Sequence, residues 1–96
     1  GKTTFAFEYL YRGAQMGEPG IYVTLEETPD DIINNLSAVF TGFTDIQDLI
    51  DAKKLIIAKP DKLDLETVAG VVEQAIAESN VKRAVIDSLT IMKLPF

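Results

Sequence analysis

Read from sequence alone, the 96 residues predict an α/β domain built on a parallel sheet. Three observations carry that prediction. Apolar residues recur at helical spacing in three long stretches, short runs rich in Ile and Val lie between them, and capping or turn residues separate the two kinds of segment. The resulting order is helix, strand, helix, strand, helix, strand. Right-handed crossovers then bring the carboxyl ends of all the strands to one edge of the sheet, the edge at which such sheets build their sites.

Taken in order, the first helix is expected over residues 2–17, with Phe7, Leu10, Tyr11 and Ala14 as its buried stripe. Gly17-Glu18-Pro19-Gly20 stops it. Ile21-Tyr22-Val23-Thr24-Leu25 is β-branched and aromatic, which suits a strand, and it ends in Glu26-Glu27. Thr28-Pro29-Asp30-Asp31 is a helix start: Thr28 caps, Pro29 takes the first helical position, and two acids complement the dipole. Ile32, Ile33, Leu36, Val39 and Phe40 give that helix its apolar face.

After Gly42, Thr44 and Gln47 resemble a capping box opening a short helix through residues 45–50. Leu55-Ile56-Ile57-Ala58 reads as the second strand, stopped by Pro60. Asp64 is placed to cap a long helix that buries Leu65, Val68, Val72 and Ile76, turns Glu66, Glu73 and Glu78 outward, and ends at Asn80. Ala84-Val85-Ile86 is the last strand, leading into Asp87-Ser88. No internal repeat or low-complexity linker interrupts the series.

Composition narrows the chemistry. With no Cys and no His, disulfides, thiolate nucleophiles, imidazole bases and the usual zinc ligands are excluded, so acid or base work falls to carboxylates. A formal charge of −6 disfavours a broad nucleic-acid footprint, which needs clustered Lys and Arg. It does not disfavour a nucleotide pocket, where one or two cations and oriented amides suffice. No signal peptide or long apolar run is visible, so no membrane partner and a cytoplasmic location are expected.

The chain opens on Gly1-Lys2-Thr3-Thr4, the closing half of a phosphate-binding loop of the pattern G-x-x-x-x-G-K-[ST]. In that pattern backbone N–H groups wrap the phosphates, Lys reaches the outer oxygens and the hydroxyl holds magnesium, which would make Lys2 the charge and Thr3 the metal ligand. The helix that follows aims its positive end at the anion. Asp87, after three apolar strand residues, has the pattern of a Walker B aspartate, and Glu26 and Glu27 end another strand at the same predicted edge. Taken singly, each has a plainer reading: a solvated helix start, a strand-ending turn, and acids preceding a cap. Successive strand side chains face opposite ways, so one of the two glutamates should face the nucleotide and orient or deprotonate a water.

The order GKTTFAF, IYVTLEETPDDI and RAVIDSLT resembles the RecA-like ATPases and, within them, the KaiC-like branch; the double acid before Thr-Pro is its most specific piece. The resemblance extends over essentially the whole chain. It implies a RecA-like P-loop core in which residues 1–96 are a partial ATPase domain, without the strand before the loop and the later strands. It also implies ATP and Mg2+ as ligands, and a hexamer-like or filament-like homo-oligomer with nucleotide between subunits. By matching positions, Gly1, Lys2, Thr3 and Thr4 would belong to the nucleotide site, with Thr4 on the α-phosphate side. Thr3 and Asp87 would hold the metal, Ser88 would lie near its water shell, and Glu26, with Glu27 as partner, would be the catalytic carboxylate. ATP hydrolysis is then expected of the complete protein, and this stretch alone is expected to be inactive. A nucleotide-held assembly module without turnover and a DNA recombination or repair ATPase are the rival readings.

Overall fold

The computed structural model describes residues 2–39, 46–62, 64–87 and 90–93, and the side chains of all of these except 2–4, 36–39 and 90–93. Helix α1 spans Lys2–Gln15, strand β1 Gly20–Thr24, helix α2 Pro29–Val39 and the short helix α3 Ile46–Asp51. Strand β2 follows at Leu55–Ala58, helix α4 at Leu65–Ser79, strand β3 at Arg83–Asp87 and strand β4 at Thr90–Lys93. The sheet runs β2-β1-β3-β4. β1 is parallel to both β2 and β3, and β4 returns antiparallel along β3, pairing Ile86 with Thr90 and Arg83 with Lys93.

The parallel α/β core is therefore the one the sequence pattern predicts, and β4 is an addition to it. The sequence reading took Asp87-Ser88 as the end of the sheet. Thr90-Ile91-Met92-Lys93 is four residues long with two apolar positions, too little periodicity to announce a strand on its own.

Alternation sorts the sheet into two faces. Tyr22, Val85 and Leu55 pack with Ala6, Phe7, Leu10, Tyr11 and Ala14 of α1, and Ile32, Ile46 and Leu49 complete this layer. On the opposite face Ile21, Val23 and Ala84 pack with Val68, Val72 and Ala75 of α4 and with Val81. All four residues expected in the α1 stripe are buried.

In α4 the expectation for Leu65 is overturned: it is 86% exposed, whereas Ala75 is buried. At 100° per residue Leu65 sits within about 20° of buried Val72, so its angle on the helix suits the buried face. Its exposure goes with its place as the first residue after the cap, ahead of the stretch from Val68 to Ile76 that packs against the sheet.

The element ends are made by the residues that pattern reading assigned to them. At the end of α1 the Glu18 N–H donates to the Gly13 carbonyl (2.8 Å) and the Gly17 N–H to the Ala14 carbonyl (3.2 Å). Gly17, at φ 80°, supplies the left-handed residue this ending needs. The Thr28 hydroxyl accepts from the Asp31 N–H at 3.2 Å and caps α2. Asp64 accepts from the Thr67 N–H at 2.7 Å and caps α4, which closes on Asn80 at φ 54°. Thr44 and Phe40 lie outside the described residues, so the expected capping box is named here only as such.

Candidate nucleotide site at the carboxyl edge of the sheet

Two elements define the edge. β1 and β3 run side by side with Thr24 opposite Asp87, so Glu26 and Glu27, immediately beyond β1, share the carboxyl edge with Asp87. Helix α1 runs antiparallel to these strands: its last turns face the strand beginnings, where Arg83 donates to the Tyr9 carbonyl at 2.9 Å and Leu10 approaches Gly20. Lys2 is seven residues before Tyr9, a rise of about 10 Å, and β3 climbs about 13 Å from Arg83 to Asp87. The first turn of α1, which carries Lys2, Thr3 and Thr4, thus lies at the same edge as Asp87. Gly1 and Ser88 lie outside the described residues.

The face matters as much as the edge. Strand alternation sets Gly20, Tyr22 and Thr24 of β1 and Arg83, Val85 and Asp87 of β3 on the α1 side of the sheet. Contacts fix the assignment, since Tyr22 and Val85 belong to the α1 cluster and Arg83 touches α1 directly. Asp87 is half-buried there and accepts a hydrogen bond at Oδ2 from the Tyr22 hydroxyl at 3.0 Å.

The glutamates are positioned by backbone rather than by their own side chains. Thr24 is buried, and its hydroxyl both accepts from the Glu27 N–H at 3.1 Å and donates to the Glu27 carbonyl at 3.0 Å. This closes a tight bend directly after β1. From the end of β2, Lys59 Nζ donates to the Glu26 carbonyl at 3.2 Å and ties the bend to the neighbouring strand. Both glutamates are exposed, with the Thr28 cap and the positive end of α2 immediately after them. The bend breaks the strict alternation of the strand, so the two acids project from a turn.

Three residues shape this edge that pattern reading did not single out for it: Tyr22, Thr24 and Lys59. Nothing local marks Tyr22 or Lys59. Tyr22 and Asp87 are 65 positions apart, and Lys59 and Glu26 are 33 apart. Only Thr24, three residues before Glu27, has a signal within the chain, the Thr-x-x pattern of a side-chain turn.

Parallel strands delivering acids to the edge at which a Lys-Thr-Thr helix begins define the class, a RecA-like P-loop ATPase core. The family model described as the KaiC ATPase matches residues 1–94, and the chain belongs to that family. Over 94% of its length it is 44% identical to the circadian clock oscillator protein KaiC of Parathermosynechococcus lividus, and 40% identical to that of Synechococcus elongatus. The UPF0273 protein of Thermotoga maritima is 35% identical over the same share. The chain spans 18% and 19% of the two clock proteins and 43% of the Thermotoga protein, so it corresponds to part of each.

Among the described residues no helix is long and apolar enough to cross a membrane, and no three carboxylates gather as a metal cluster. The donors proposed for magnesium are of another kind, one hydroxyl and one carboxylate. Both are hard oxygen donors that suit a cation which keeps several waters, and the half-buried carboxylate of Asp87 faces the helix that carries Thr3.

Proposed function

We propose that the complete protein carrying this chain binds ATP with Mg2+ at the carboxyl edge of the sheet and hydrolyses it. The single observation that supports this reading is the convergence of Asp87 and the first turn of α1 on one edge and one face. Gly1, Lys2, Thr3 and Thr4 bind the phosphates, with Lys2 neutralising charge that develops on the outer phosphoryl oxygens. Thr3 and Asp87 hold the metal. When bound, magnesium supplies charge neutralisation across the outer phosphates.

Glu26 orients the water and accepts its proton as the water oxygen attacks the γ-phosphorus. The bond to the bridging oxygen then breaks, and ADP and phosphate leave. Glu27, on the same bend, is the partner acid. Assembly into a nucleotide-holding homo-oligomer in the cytoplasm belongs to the same proposal and rests on family membership alone.

The test is phosphate release by the complete protein and by its Glu26→Gln, Glu27→Gln double variant, with oligomeric mass followed with and without Mg-ATP. Removing a general base of this kind is expected to lower turnover by about 10²-fold or more. Undiminished turnover takes these acids out of the mechanism. Assembly on Mg-ATP with no phosphate release in the parent protein makes the site a nucleotide-held switch instead.

A further inference from the structure

Packing requirements at position 22 of β1 call for a large ring and no hydroxyl. Tyr22 is fully buried, within the cluster formed by Phe7, Leu10, Tyr11 and Val85. Phe would fill that space without taking a phenol out of water, which is unfavourable unless the hydroxyl finds a partner. The hydroxyl donates to Asp87 Oδ2 at 3.0 Å. The two are diagonal neighbours on adjacent parallel strands, since Tyr22 stands opposite Val85 and Asp87 is two residues further on. That separation is within reach of an aromatic side chain.

We propose that Tyr22 is a positioning residue for Asp87: its phenol holds Oδ2 from inside the core and thereby presents Oδ1 to the metal-nucleotide complex. This rests on the reading of Asp87 given above. The carboxylate ends an edge-facing strand and is only half-buried, so its two torsions are fixed by what it bonds to. A buried, rigid donor on the neighbouring strand fixes them before any ligand arrives, as outer hydrogen-bond partners do for metal ligands generally.

The experiment uses the complete protein, with Mn2+ as the probe metal, titrated in the presence of ATP and followed by electron paramagnetic resonance. Binding of a fluorescent ATP analogue in EDTA gives the metal-free affinity. Tyr22→Phe is expected to raise the Mn2+ midpoint about tenfold and to leave the EDTA affinity unchanged. Asp87→Asn is expected to raise it further, and adding Tyr22→Phe to Asp87→Asn is expected to change nothing more.

An unmoved Mn2+ midpoint in Tyr22→Phe, with Asp87→Asn shifted, overturns the role of Tyr22 and leaves the site reading standing. An unmoved midpoint in Asp87→Asn overturns that reading and this inference together. Equal losses from Tyr22→Phe with and without Asp87 show a merely structural contribution and overturn the proposal. A 3-fluorotyrosine placed at position 22 keeps the hydroxyl and reports even if the Phe variant does not fold. Its fluorine resonance is expected to move when Mg2+ is added to the ATP complex, and indifference to Mg2+ refutes the proposal.

Discussion

Two helical glycines predict opposite responses to the same substitution. Gly70 lies on the exposed side of α4 with nothing within 4 Å of a Cβ added there. Gly70→Ala is therefore expected to stabilise by about 0.5–1 kcal/mol, the ordinary helix-propensity gain. At Gly13, by contrast, a Cβ would stand 2.5 Å from Arg83 Cδ, 2.7 Å from its Nε and 3.1 Å from the Glu18 carbonyl. A long side chain usually gives way cheaply, but this one is held at both ends of its guanidinium. Nε donates to Glu18 Oε1 at 3.1 Å, one terminal nitrogen donates to the Tyr9 carbonyl at 2.9 Å, and the group lies 4.5 Å from the centre of the Tyr9 ring.

The Arg83 side chain is only 11% exposed, so displacing it exchanges charge-assisted bonds for incomplete hydration. One or two such bonds, each worth about 1.5–3 kcal/mol and discounted because Glu18 is partly exposed, outweigh the propensity gain. The net expectation for Gly13→Ala is a loss of about 1–3 kcal/mol. Denaturant titration of the complete protein measures both variants against the parent. In an Arg83→Ala background, Gly13→Ala should revert to neutral or stabilising. Gly13→Ala at or above parent stability in the Arg83 protein would refute the argument, because it would mean that the guanidinium relocates at no cost.

Thr24→Val keeps the buried volume and removes the hydroxyl that closes the bend, so the Glu27 amide is expected to exchange with deuterium about tenfold faster while neighbouring β1 amides hardly change. At Asn80, the left-handed backbone of φ 54° makes Asn80→Val cost about 1–2 kcal/mol and Asn80→Gly little, read from the same denaturation curves. Asp64 is held below its ordinary value of 3.8 first by the Thr67 side chain and then by the Thr67 backbone N–H. A lowered folded value means its contribution is complete above the unfolded value and is lost as pH falls through the folded one. The stability gap between the parent and Asp64→Asn should therefore be constant near neutrality and narrow below about pH 4; a gap that widens in acid would contradict the assignment.

What was legible in the sequence follows from the range of each interaction. The α1 stripe, the Thr28, Asp64 and Asn80 caps and the Leu55–Ala58 strand depend on residues within a turn or two, and period and capping chemistry reveal such features. The common edge of Asp87 and the glutamates was also legible, because the handedness of crossovers leaves parallel strands little choice. Leu65 was misjudged because helical spacing gives the face of a residue and not how far along the helix the sheet covers that face. The bonds that hold the candidate site, Tyr22 to Asp87 and Lys59 to Glu26, cross between strands far apart in the chain. No local pattern encodes them; they exist only once β2, β1 and β3 lie in register.

The Arg83 clamp sits where α1 ends, and the turn offered to phosphate sits where α1 begins. Anchorage and ligand contact are thus divided between opposite poles of one rod. Damage to the lower pole should appear as lower melting with the ligand response intact, and damage to the upper pole as the reverse. A survey of substitutions along this single helix would separate the two effects by position.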